Sequence, residues 1–121
     1  VKPPAWSLRL TAAAEADFKH TVRWSARQFG DAQARTYSKT LSLALEALVN
    51  DGPDTVGVQR RDEIAKGLRS LHVARGHRRG RHFVIFRVRR EGDLGVIEVL
   101  RLLHDAMGFP RHLPSTDRLK D

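Results

Sequence analysis

Residues 67–102 read Gly67-Leu-Arg-Ser-Leu-His-Val73, a basic turn, His82-Phe-Val-Ile-Phe-Arg-Val-Arg89, Glu91-Gly-Asp93, and Val96-Ile-Glu-Val-Leu-Arg-Leu102. Three short runs rich in β-branched and aromatic residues, separated by turns that contain glycine, predict a three-stranded antiparallel meander. Within the middle run Val84, Phe86 and Val88 share one side, and Phe83, Ile85 and Arg87 the other. Within the last run Val96, Leu100 and Leu102 are expected to oppose Ile97, Val99 and Arg101. A sheet with one face in water alternates cleanly between apolar and polar residues. This one does not, so its second face needs a cover, either the C-terminal tail or a partner protein.

The residues upstream read as helix laid across the first face. Trp6 to Leu10 alternates and predicts a leading strand. Thr11 is placed to cap a helix whose stripe is Ala14, Phe18, Val22, Ala26 and Phe29, and Gly30 ends it. Asp31 is placed to cap a second helix with the stripe Ala34, Tyr37, Leu41, Leu45 and Leu48, which runs to about Val49 before Asn50-Asp-Gly-Pro53. The two make an antiparallel hairpin with a glycine joint. Asp54 to Lys66 has weak periodicity and reads as a loop, with room for one helical turn anchored by Ile64. His104 to Met107 suggests a single turn, Phe109 to Pro114 a short anchored tail, and residues 114–121 a frayed end.

The chain has 121 residues, enough for one domain with a modest core, and its 40% hydrophobic and 30% charged content is that of a globular protein. Cysteine is absent, which excludes thiol chemistry and fits a reducing cytoplasm. No apolar run approaches the roughly 20 residues of a spanning helix, and no signal-like core stands at the start. The 22 Lys and Arg outnumber the 14 Asp and Glu, a net charge of +8 that favours encounter with nucleic acid, a nucleic-acid-bound machine or an acidic protein. His72, His77, His82, His104 and His112 do not follow a compact zinc spacing, so neither a metal nor another cofactor is expected.

Taken in order, Leu10-Thr11, Ala14-Glu-Ala-Asp-Phe18, Val22, Trp24, Ala26, Phe29-Gly30, Asn50, Pro53, Gly67-Leu-Arg-Ser-Leu71, Phe86-Arg-Val88, Val96 through Met107 and Pro110-Arg-His-Leu113 carry a family likeness. The chain resembles the ParE branch of the RelE/ParE superfamily of toxins from bacterial type II toxin–antitoxin systems. It departs from that pattern in the long basic insertion Arg75-Gly-His-Arg-Arg-Gly-Arg81, and in Phe86 where many relatives have tyrosine. The resemblance implies an α+β fold, with a short N-terminal strand and a helical hairpin packed on a small, mainly antiparallel sheet. It further implies poisoning of DNA gyrase by trapping the cleaved-DNA complex, without chemistry by the toxin itself. It also implies a cognate antitoxin, commonly with a dimeric DNA-binding domain of ribbon-helix-helix type, through which alone operator DNA is reached; no membrane partner is implied.

The rival activity within the superfamily is ribosome-dependent cleavage of mRNA, which needs an acid, a base and cations for the developing charge on phosphorus. Arg81, Arg101 and His104 are the candidates for that chemistry. Against it stand the lack of lysine between Lys66 and Lys120 and the position of the only tyrosine, Tyr37, in a helical stripe. The residues expected to meet target or antitoxin are Arg69, Arg81, Phe83, Ile85, Arg87, Ile97, Val99 and Arg101. For Trp24, packing is preferred to target recognition, and the Arg75 to Arg81 turn reads first as a solvated loop.

Overall fold

A computed structural model of the chain describes residues 6–107. Strand β1 (Ser7–Leu10) leads into helices α1 (Ala12–Phe29) and α2 (Asp31–Asp51), followed by a single 3-10 turn (Gly52–Asp54). Strands β2 (Gln59–Arg60), β3 (Arg69–His72), β4 (His82–Glu91) and β5 (Leu94–His104) complete a five-stranded sheet of order β1-β5-β4-β3-β2. β1 lies parallel to β5, and the remaining pairs are antiparallel. The α+β architecture is therefore the expected one, with a two-residue edge strand added before the meander. The segments Phe109–Pro114 and 114–121 lie outside the described residues.

Each helix boundary has a local cause. Thr11 is extended, and its hydroxyl accepts the Ala14 N–H at 3.1 Å while donating to the Leu100 carbonyl at 2.9 Å. The cap of α1 is thus also a tie to the sheet. Gly30, at φ 91°, ends α1 and starts α2, a backbone state that disfavours side chains. Asp31 is the first residue of α2 rather than its cap, and no side chain caps that end. The α1 stripe also shifts: Ala14, Thr21 and Ser25 are its buried positions, Phe18 and Val22 pack at the margin, and Phe29 is exposed.

The hairpin covers one sheet face. Ala14, Leu41, Ala44 and Leu48 meet Val84, Phe86, Ile97, Val99 and Leu102 in the main core. The pairing of β4 with β5 slips between Ile85 and Phe86, where Arg101 faces Ile85 and Val99 faces Phe86. The extra residue, Leu100, is a bulge. It explains a misplaced expectation: past this point Leu102 joins the side of Ile97 and Val99 instead of opposing them. Asp17 of α1 sits at the bulge and accepts Arg101 Nε at 2.7 Å, Arg101 Nη2 at 3.1 Å and the Leu102 backbone N–H at 3.0 Å.

The second face is covered by the chain itself. Ile64, Ala65 and Leu68 pack on Phe83, Ile85, Leu100 and Leu103. The covering turn is closed by Arg61 N–H to the Leu68 carbonyl at 2.8 Å and Gly67 N–H to Asp62 at 2.8 Å. Among the described residues it is this turn, not named in the expectation, that covers Ile85, Leu100 and Leu103; the tail that the expectation did name lies outside them. The stretch between Asp54 and Lys66 reads as a loop held by Ile64 alone because its apolar groups are few and aperiodic.

Trp6 fixes the start of β1 against both the end of α2 and the β4–β5 turn. A Cβ at Gly52 would collide with the indole Nε1 and one at Gly95 with the six-membered ring. Gly95→Ala is expected to destabilise the fold by roughly 1–3 kcal/mol through this overpacking. A denaturant melt that leaves Gly95→Ala equal to the parent would remove Trp6 as a wedge. Asp17→Ala strips three acceptor contacts from a half-buried arginine and a backbone N–H, and is expected to lower stability by about 2 kcal/mol by the same measurement.

Candidate functional site

The structure divides the expected site residues among different environments. Arg69 donates to the Pro53 carbonyl at 2.8 Å and to Asp54 at 3.0 Å, and so braces the turn after α2. Arg87 pairs with Glu98 at 2.6 Å, and Arg89 shares that carboxylate at 3.1 Å. Ile97 and Val99 are fully buried beneath the hairpin, and Ile85 is fully buried beneath the 61–68 turn. None of these three side chains is part of the surface. Phe83 is half-buried, with His72 edge-on at 4.7 Å and the Arg61 guanidinium 5.6 Å from the ring centroid.

Arg87 and Arg101 do not share a basic face. Arg101 turns toward α1 and Asp17, whereas Arg87 lies on the side of Ile85. Arg87 lies on the side of Ile85 as its strand pattern predicts, but Leu102 does not oppose Ile97 and Val99, and Ile85 and that pair belong to opposite faces. Only cross-strand register decides that match, and the bulge hides it from the pattern. Arg101 is held even more firmly as a cation by its hydrogen bond with Asp17.

What the fold does bring together is a polar cluster at the far end of β3, β4 and β5. Tyr37 reaches out of α2 to His82, with its hydroxyl 2.6 Å from Nδ1, and the same oxygen accepts the Arg81 N–H at 3.0 Å. His82 lies opposite His104 across the strand pair, the rings edge-to-face at 5.3 Å. Asp105 joins the other members: it takes Arg81 Nε at 3.0 Å and His72 Nε2 at 3.0 Å. Gly80 permits the approach, because a Cβ there would strike Val73 and crowd the Tyr37 hydroxyl.

Partners assign the protons. Nδ1 of His72 accepts the Ala74 N–H at 3.0 Å, so its Nε2 carries the proton given to Asp105. Nδ1 of His104 accepts the Ala106 N–H at 3.1 Å, which leaves Nε2–H as a donor. Burial, reinforced by the neighbouring His104, lowers His82 to about 4, so its ring is neutral, and its Nδ1 is taken up by the hydrogen bond with the Tyr37 hydroxyl. Burial likewise raises Tyr37 above its ordinary value. The His72 hydrogen bond, followed by those from Arg81, holds Asp105 low. In this arrangement His104 presents a donor, not a ready general base.

Above the cluster lies a cleft of about 280 Å³, lined by Thr21, Trp24, Ser25 and Phe29 of α1, Gln33 and Tyr37 of α2, the turn Arg79–His82, and His104. Sequence reasoning missed it because its walls come from four separated segments. Trp24 and Phe29 are 46% and 65% exposed and stand edge-to-face at 5.8 Å on its rim, so simple packing does not account for them. The basic turn is pinned as well as solvated, since Arg78 donates to Thr40 at 2.8 Å and to the Thr36 carbonyl at 2.9 Å. Among the described residues no group of three His, Cys, Asp or Glu could hold a metal ion, and no helix is long and apolar enough to cross a membrane.

The low value of His82 fixes a sign. Between about pH 6.5 and 4 the unfolded chain takes up a proton that the folded chain refuses, so stability is full above this window and falls as the pH is lowered through it. His82→Gln is expected to flatten that part of the stability–pH curve. An imidazole titration placing His82 near 6.5 would break the assignment.

The family model described as the ParE toxin of the type II toxin-antitoxin system, parDE, matches residues 8–109. The chain is 31% identical over 112 residues to Toxin ParE of Escherichia coli, covering 92% of this chain and 94% of that protein. Two solved structures share the fold. The structure described as the chromosomal ParDE TA system from P. aeruginosa superposes with a TM-score of 0.65 at 21% identity, covering 83% of this chain and 96% of that one. The YoeB/ParE toxin from Agrobacterium tumefaciens gives 0.54 at 14% identity, covering 81% and 96%. A match running from β1 to beyond β5, joined to the strand, hairpin and sheet order described above, makes this chain a member of the ParE toxin family of type II toxin–antitoxin systems.

Proposed function

We propose that this toxin inhibits growth by binding DNA gyrase and stabilising its cleaved-DNA complex, as a binding protein rather than an enzyme. The observation that carries the reading is the state of the groups that would have to do chemistry. Arg101 is clamped by Asp17 and Arg87 by Glu98, and the Nδ1 atoms of His72, His82 and His104 are all occupied by hydrogen bonds. RNA cleavage at a 2′-hydroxyl asks for a free base and for cations able to follow charge onto the phosphorane. Neutralisation falls to a cognate antitoxin, in this reading one with a dimeric DNA-binding domain of ribbon-helix-helix type that alone contacts operator DNA.

Ribosome-dependent mRNA cleavage remains the second reading, and one observation favours it: Tyr37, His82, His104 and Arg81 meet in a single cleft. The two readings separate in one assay. Purified toxin is incubated with gyrase and supercoiled plasmid, with and without antitoxin. Linear, protein-linked DNA that disappears when antitoxin is added supports gyrase poisoning. No trapped DNA at stoichiometric excess, together with cleavage of mRNA on ribosomes, would replace it.

Arg81 is the expected contact residue best placed to act, with its side chain 69% exposed at the mouth of the cleft. Arg81→Ala is expected to reduce gyrase inhibition about tenfold while its melting midpoint stays within a few degrees of the parent, since an exposed ion pair contributes little to stability. Arg101→Ala should instead lose folding and inhibition together, because it leaves Asp17 without its partner. The reverse pattern in paired melting and inhibition assays would exchange their roles.

A further inference from the structure

The positive charge of this protein is not spread evenly. From Lys19 to Leu45 the hairpin carries five Lys or Arg and a single acid, Asp31. The turn Arg75–Arg81 adds four arginines and no acid, which makes a local excess of eight, equal to the excess of the entire chain. Arg78 ties this turn to α2, so the two basic segments are one surface. Lys19, Arg23 and Arg27 of α1, and Arg35 and Lys39 of α2, are exposed. Of the nine cations, Arg81 alone has an ion pair among the described residues.

The exposed aromatic pair lies within that surface. Trp24 and Phe29 form one wall of the cleft, Arg79 and Arg81 another, and His104 with Gln33 offers hydrogen-bonding groups between them. We infer that this cleft binds single-stranded DNA, with one unstacked base held against Trp24 and the flanking phosphates taken by Arg79 and Arg81. Cations combined with an exposed aromatic face are what single-strand binding requires, because every base offers a π-face once it leaves the stack. A duplex hides those faces and would engage only the charge. An acidic peptide would satisfy the arginines but leave the aromatic wall without a planar partner. The volume of about 280 Å³ is close to the lower limit of roughly 300 Å³ for ligand pockets, which suits one ring and not a folded segment.

The inference deepens the gyrase reading, on which its biological meaning rests, since a topoisomerase paused on cleaved DNA has distorted strands near the break. Binding itself is measured without gyrase, so each idea can fail alone. Trp6 and Trp24 are the only tryptophans, and Trp24 is the exposed one. The full-length toxin is titrated with a dT 12-mer while tryptophan emission is followed, alongside a 12-base-pair duplex, an rU 12-mer and polyglutamate. Quenching by dT, with affinity at least fivefold above the other three, is the expected result. It should vanish in Trp24→Phe, where Trp6 is the sole reporter. Arg79→Glu should weaken dT binding about tenfold, and Arg60→Glu in β2 should leave it unchanged. Circular dichroism confirms that these surface variants fold. Equal affinity for duplex or polyglutamate, preference for rU, or quenching that survives in Trp24→Phe would each overturn the inference. Strong dT binding without gyrase poisoning would instead sink the gyrase reading and leave the cleft assignment standing.

Discussion

One carboxylate holds the two layers in register. Asp17 leaves the buried side of α1 at the point where β5 carries an extra residue, and takes both the Arg101 guanidinium and the Leu102 N–H. A bulge in the middle of a long strand pair would otherwise leave a backbone donor without its ladder partner. Thr11 serves the same strand one turn earlier, bonding the Leu100 carbonyl while capping α1. The helix start and the strand irregularity are therefore one construction. Ridges of Ala14 and Ala44 then bring the hairpin close enough for Phe86, Ile97 and Val99 to be sealed from water.

The adjoining end of the sheet, where β4 begins and β5 finishes, is organised by polarity instead of packing. Tyr37, His82, Arg81, Asp105, His72 and His104 form a chain in which most members are fixed by a neighbour's hydrogen bond. No buried side-chain nitrogen or oxygen among the described residues is left without a partner. Such a network sets the shape of a surface with little mobility of its own, which suits recognition better than proton transfer. A general base has to exchange its hydrogen bonds during turnover, and these imidazoles hold theirs through the fold.

Much of the architecture was legible because it rests on periodicity. The strands at Arg69–His72, His82–Glu91 and Leu94–His104, and the glycine-jointed hairpin, follow from period-two and helical spacing. The cover of the second face was not legible, since Ile64, Ala65 and Leu68 sit in a turn with no period to detect. The site was less legible still. Arg87 was read on the correct side of β4, but the sides of β5 past Val99, and the match between the strands, depend on a one-residue bulge at Leu100. Tyr37 fell in a core stripe by spacing, and nothing in the spacing announces that its hydroxyl projects past the core to His82. The family likeness compensated for none of this, because it identifies the fold and the class of toxin but not which surface is charged, aromatic and open.

The parallel pairing of β1 with β5 has a consequence for the order of events in synthesis. Ser7 to Leu10 leaves the ribosome about 90 residues ahead of its partners Val96 to Val99. The hairpin can form from local contacts as it emerges, but β1 has no partner until the last strand is free of the exit tunnel. Trp6, the wedge between Gly52 and Gly95, waits with it. The sheet of this toxin is therefore completed as a late, long-range closure, which leaves the nascent chain an interval in which its leading segment is open to another strand.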